Sequence, residues 1–88
     1  MIMRVRPEMV GDDTSFDEFV EFLTHLKWMV IMNGFRIEIT PPIDNLTPEI
    51  IWGDGVEIEV TSKDPTLRDV DIKSFLDQAW ERVWDMMV

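Results

Sequence analysis

Between Ser15 and Val30 the apolar residues Phe16, Phe19, Val20, Leu23, Leu26 and Val30 recur at three- and four-residue steps, the spacing of a helix with one buried face. Ser15-Phe16-Asp17-Glu18 in front of them reads as a capping box, in which the Ser15 hydroxyl and the Glu18 carboxylate each satisfy a backbone N–H orphaned by the first turn. Asn33-Gly34 marks the end of the helix. Phe22, Trp28, Met29 and Met32 lie off the main stripe, so the C-terminal half is apolar nearly all round. Its cover is expected from a second helix and the N-terminal strand, from a second copy of the chain, or from a partner.

Elsewhere the period is two. Met1, Met3 and Val5 alternate with Ile2, Arg4 and Arg6 until Pro7, which suits a short edge strand. Phe35, Ile37 and Ile39 alternate with Arg36, Glu38 and Thr40 until Pro41-Pro42, and a loop covers Ile43 to Pro48. Glu49 to Trp52 and Val56 to Thr61 flank Gly53-Asp54-Gly55 and predict an antiparallel hairpin. After Ser62 to Pro65 a second helix starts near Thr66 or near Asp71, with Ile72, Phe75, Leu76, Ala79, Trp80, Val83 and Met87 on its apolar arc. The expected fold is one α+β domain over residues 1–88. It is a two-layer sandwich in the order β-α-β-β-β-α, with a mainly antiparallel sheet and two helices on one face. Arg4, Arg6 and Arg36 are then able to meet Glu38, Glu57 and Glu59 on the polar face.

At 45% hydrophobic and 30% charged, the 88 residues have an ordinary globular composition. A domain of this size has little interior left for a deep substrate cavity, which weighs against an enzyme. Cysteine is absent, which removes disulfides, thiolate nucleophiles and Cys-based zinc sites and points to a reducing, cytoplasmic setting. The longest apolar run, Trp28 to Met32, is far too short to span a bilayer, and MIMRVRP lacks the apolar core of a signal peptide. No membrane association is expected.

His25 is the one candidate base, with Ser15, Ser62 and Ser74 as hydroxyl candidates, of which Ser15 is explained as a cap. Glu21 and His25 stand one turn apart, as any i,i+4 pair does. The four glycines match no phosphate loop, and no metal or cofactor site is expected. The order of elements from Ser15 onward resembles the core of the PD-(D/E)xK nucleases, with Asp54 and Glu59 in the carboxylate places. Thr61 stands where that family carries its lysine, and a chain with 8 basic and 18 acidic residues, net charge −10, repels the phosphate backbone. Direct nucleic-acid binding is therefore not expected.

Acidity is the more informative signal. On the second helix Asp77, Glu81 and Asp85 fall opposite the apolar arc, one turn apart, with a rise of about 6 Å between them. Lys73 relieves only Asp77. Asp17, Glu18 and Glu21 make the first helix acidic too, and Trp84 lies at the border of the arc beside the carboxylate row. The stretch from Ile72 to Asp85, through Trp80, Glu81 and Asp85, looks like the acidic C-terminal helix of the DNA-damage-inducible RecA modulators. That resemblance implies an acidic helix imitating DNA towards a recombinase. The expected function is a small, non-enzymatic, acidic interaction protein of the phage or mobile-element kind. It occupies a basic protein surface, most naturally that of a nucleic-acid-binding protein. Asp77, Glu81, Asp85, Asp17, Glu18 and Glu21 supply charge, and Trp84, Trp28 and Met32 supply apolar anchors. The alternative is a homo-oligomer that buries Trp28, Met29 and Met32 between helices.

Overall fold

In the computed structural model, which describes residues 1–87, the two amphipathic stretches form the two long helices. Helix α1 spans Phe16–Met32 and opens on the capping box: Ser15 Oγ accepts from the Glu18 N–H at 3.2 Å and Glu18 Oε1 from the Ser15 N–H at 3.4 Å. It closes at Asn33, and Gly34 (φ +87°) turns the chain out. Helix α3 spans Asp69–Met87, starting between the two predicted caps. Its first turn is closed by Asp71, whose Oδ2 accepts from the Arg68 N–H at 2.9 Å.

Strands β1 (Ile2–Val5), β2 (Phe35–Thr40) and β3 (Val56–Ser62) form one antiparallel sheet in the order β1-β3-β2. Ile58 stands opposite Met3 on one side and Ile39 on the other, Val60 opposite Ile37, and Val56 opposite Val5. Directly opposed residues share a face, so these positions make one apolar face, with Val5, Val56, Ile58 and Val60 fully buried. Helix α1 packs against β2 and α3, and α3 also touches β3. Phe22 meets Trp80 edge to face at 4.7 Å between ring centroids, and Phe35 stacks on Phe75 at 4.3 Å. Phe22, off the sequence stripe, is thus fully buried because α3 covers it.

The expected hairpin does not form, so the predicted β-α-β-β-β-α order is corrected in its fourth element. Pro48–Trp52 is a short helix, α2, and the sheet has three strands. The reason is local. Thr47 Oγ1 accepts from the Ile50 N–H at 3.3 Å, and Pro48 occupies the first helical position, where its missing N–H costs nothing. The next residues, Glu49-Ile50-Ile51-Trp52, do not alternate, and the turn of helix lets Ile51 reach the core. Gly53-Asp54-Gly55 therefore joins a helix to a strand. On the polar face, among the described residues, only Arg4 finds one of the expected partners, with Nη2 3.8 Å from Glu57 Oε1. Glu38 stands opposite Glu59, and Arg36 opposite Thr61.

Gly55 (φ +73°) is packed so closely that a Cβ would strike the Val5 carbonyl oxygen, whereas Gly34, also left-handed, has no described residue within 4 Å of that position. Gly34→Ala should cost only the backbone term, about 1 kcal/mol, and Gly55→Ala clearly more, of the order of 3 kcal/mol. Urea unfolding of the two variants measures the difference, and equal costs would contradict the packing at Gly55. In the β3–α3 connection Asp64 Oδ1 accepts from the Thr66 hydroxyl at 2.7 Å and the Thr66 N–H at 2.9 Å, and these bonds hold its carboxyl below the ordinary aspartate value of 3.8. The contribution of this turn is present above the unfolded-state pKa and disappears as pH falls through the lowered folded value. A carboxyl NMR titration should place the Asp64 midpoint below 3.8, and Thr66→Ala should raise it.

Candidate functional site

Asp77, Glu81 and Asp85 lie exposed along one edge of α3. Lys73 Nζ sits 3.1 Å from Asp77 Oδ2. Among the described residues no cation comes within ion-pair distance of Glu81 or Asp85. Arg82, the other cation of α3, lines a groove formed with α1 that contains none of the three carboxylates. Like charges one turn apart weaken a helix by a few tenths of a kcal/mol per pair, roughly. The apolar arc beneath them outweighs that cost, since Ile72, Leu76, Ala79 and Val83 are buried.

The fold brings a second acidic segment to this edge. Met3 and Met9 line an open hollow of about 460 Å³ together with Trp80, Asp77 and Glu81. One turn further on, the Trp84 ring lies against Gly11: a Cβ built there would stand 3.0 Å from the ring carbon Cη2. The loop carrying Met9 and Gly11 also carries Glu8, Asp12 and Asp13, all exposed. The result is a strip in which Met3, Met9, Trp80 and Trp84 lie beside the carboxylate row of α3, with the loop that carries Glu8, Asp12 and Asp13 folded against the Trp84 end. Trp84 keeps 39% of its surface open to solvent. Periodicity along α3 reveals the Asp77–Asp85 row. Nothing in the alternation of Met1 to Arg6 shows that Met9 and the loop will fold against it.

The acids of α1 form a separate group. Glu18 is committed to the cap, Glu21 Oε1 lies 3.5 Å from His25 Nε2, and Asp17 is exposed in the first turn. None of them lines the hollow under Asp77 and Glu81. The apolar anchors also part company. Trp28 (55% exposed), Met32 (82%) and Met86 (63%) border a different open groove of about 380 Å³, completed by His25, Met29, Asn33 and Arg82. Lys27 Nζ stands 5.9 Å from the Trp28 ring, within cation–π range.

Of the two carboxylates in the nuclease resemblance, Asp54 lies in the turn between α2 and β3 and Glu59 on β3. The strand that would precede Asp54 is helix α2, and the Asp54 carbonyl accepts from Arg4 Nη1 at 2.9 Å. Glu59 lies exposed on the polar face of β3. Among the described residues no three His, Asp or Glu side chains converge as metal ligands would, and no helix is long and apolar enough to cross a membrane. No protein-family model, no curated protein and no solved structure matches this chain, and neither resemblance gains support from those comparisons.

If Trp84 packs on Gly11, a methyl group there must displace the ring by a few tenths of an ångström. Gly11→Ala should move the indole N–H resonance of Trp84 and leave those of Trp28 and Trp52 in place. An unmoved Trp84 signal would place its ring elsewhere.

Proposed function

We propose that this protein is a non-enzymatic interaction module that presents the strip between α3 and the β1–α1 loop to a basic surface of another protein, in the manner of a nucleic-acid mimic. The observation that carries the reading is the composition of the strip. The carboxylate row of α3, in which only Asp77 meets a cation of its own helix, runs beside a half-exposed tryptophan and two methionines, and the adjoining loop adds three exposed carboxylates. Such a surface divides the work of recognition. Unpaired carboxylates speed encounter with a cationic groove and select it over other surfaces. A tryptophan that becomes fully desolvated supplies the anchor that dominates affinity in most interfaces. A nucleic-acid-binding site is the surface best matched to it, because it offers the arginines and lysines that normally hold phosphates.

A second reading rests on the other groove. Trp28, Met32 and Met86 are large, flexible or aromatic, and heavily exposed, the types enriched at interface cores. In that reading helices of two copies cover one another there, and the net charge of −10 serves solubility alone.

The test is capture of a binding protein from a lysate, followed by titration of the identified complex with and without a competing DNA duplex. Binding should weaken with salt, be displaced by the duplex, and fall at least about tenfold in D77K/E81K/D85K, while circular dichroism of the variant stays native. A partner that binds this variant as tightly as the parent, or ignores the duplex, would overturn the acidic-strip reading.

A further inference from the structure

Strand β2 is an edge strand whose outer side is unpaired, and the direction of its free backbone groups follows from the register. Met1 and Val60 exchange both backbone hydrogen bonds, each at 2.8 Å. Val60, Ile58 and Val56 therefore direct their N–H and C=O groups to β1, and Glu57, Glu59 and Thr61 direct theirs to β2. Their partners on β2 are Thr40, Glu38 and Arg36. Phe35, Ile37 and Ile39 are left with N–H and C=O groups pointing outward, and among the described residues none of these groups has a partner outside the sheet. The edge at Ile37–Ile39 borders an open hollow of about 220 Å³ with Lys27, Pro42 and Ile43 on its sides. A six-residue edge without proline, bulge or lysine is a template for another strand.

Charge selects the occupant. If β2 pairs with β2 of a second copy, antiparallel about a two-fold axis, only even registers keep the apolar faces together and the outward groups opposed. Centring on Arg36 or on Glu38 puts like charges face to face. Centring on Ile37 puts Arg36 of each copy opposite Glu38 of the other, twice over. It also sets Ile37 against itself and Phe35 against Ile39. The same register resolves two anomalies of the single chain. Among the described residues Arg36 makes no ion pair, and Glu38 stands opposite Glu59 with no cation within ion-pair distance, although Lys27 lines the same hollow. Ile31, one helical turn beyond Lys27 on the flank of α1 that borders this edge, is exposed and would be covered by the neighbouring copy.

We infer that two copies of this chain pair through β2, in antiparallel register about Ile37, to form a continuous six-stranded sheet held by reciprocal Arg36–Glu38 contacts. The inference does not rest on the acidic strip.

The test uses full-length chains in sedimentation equilibrium at 0.15 M salt, where the net charge of the copies is screened beyond about 8 Å. The parent should dimerise, and Arg36→Glu and Glu38→Arg should each weaken the dimer at least about tenfold, because each turns two attractive contacts into repulsive ones. An equimolar mixture of the two variants should dimerise again, since the acidic pair of one then faces the basic pair of the other. The double variant R36E/E38R, which restores opposite charges across the axis, should dimerise as well. Circular dichroism confirms that every variant folds. A parent that stays monomeric at millimolar concentration overturns the inference. So does a dimer that ignores both single variants, and one lost instead in W28A/M32A would place self-association on the helices.

Discussion

The central position of β3 is the constraint on which the other elements depend. Both edge strands take their register from it, and its alternation of Val56, Ile58 and Val60 with Glu57, Glu59 and Thr61 decides which side of the sheet is apolar. Once that side is fixed, α1 and α3 have one surface to cover. The hydrophobic gain is concentrated there: Val5, Phe19, Phe22, Leu23, Leu26, Val30, Ile51, Val83 and the three β3 residues are all fully buried. A slip of one residue would turn three buried side chains to water and set three ionic or hydroxyl groups against the helices.

The elements with long periodic runs are legible without coordinates. The capping box at Ser15, the stop at Asn33-Gly34, the alternation in β2 and β3 and the buried arc of α3 all occur where the sequence places them. The exception is Glu49 to Trp52. Four residues are too few for either period to declare itself, and the Gly-Asp-Gly behind them is as good a turn for a hairpin as for a helix exit. The deciding signal is Thr47-Pro48, a cap followed by the residue that best tolerates the first helical position. The start of α3 is ambiguous for a related reason. Its first turn is closed from within by Asp71 and lacks a conventional capping side chain in front of it.

The candidate site divides along the same line. The spacing of Asp77, Glu81 and Asp85 is a property of one helix and can be read from it. That Met9 and Gly11 fold against Trp80 and Trp84, and bring Glu8, Asp12 and Asp13 with them, depends on where β1 ends relative to α3. The same holds for the off-stripe residues of α1. Phe22 and Met29 are covered, fully and partly, while Trp28 and Met32 stay open along the groove that α1 forms with Arg82 and Met86 of α3. Sequence shows that such a helix needs a cover; only packing shows how much of it the chain itself provides.

Charge is distributed unevenly for so acidic a chain, and the unevenness has a structural logic. Glu18 closes a cap, Asp71 closes a helix start, Asp64 holds a turn, and Glu57 and Asp77 each meet a cation. These carboxylates have local work that explains their presence. Glu81 and Asp85 have none, and Glu38 stands in a position that its own sheet makes unfavourable, opposite Glu59. A residue selected only to keep the surface soluble can sit anywhere on it, so a carboxylate held opposite another, or in an uncompensated row beside an exposed tryptophan, costs stability without return inside the monomer. In the two proposed complexes the missing charge comes from outside the chain, from cations of a partner along α3 and from Arg36 of a second copy along β2.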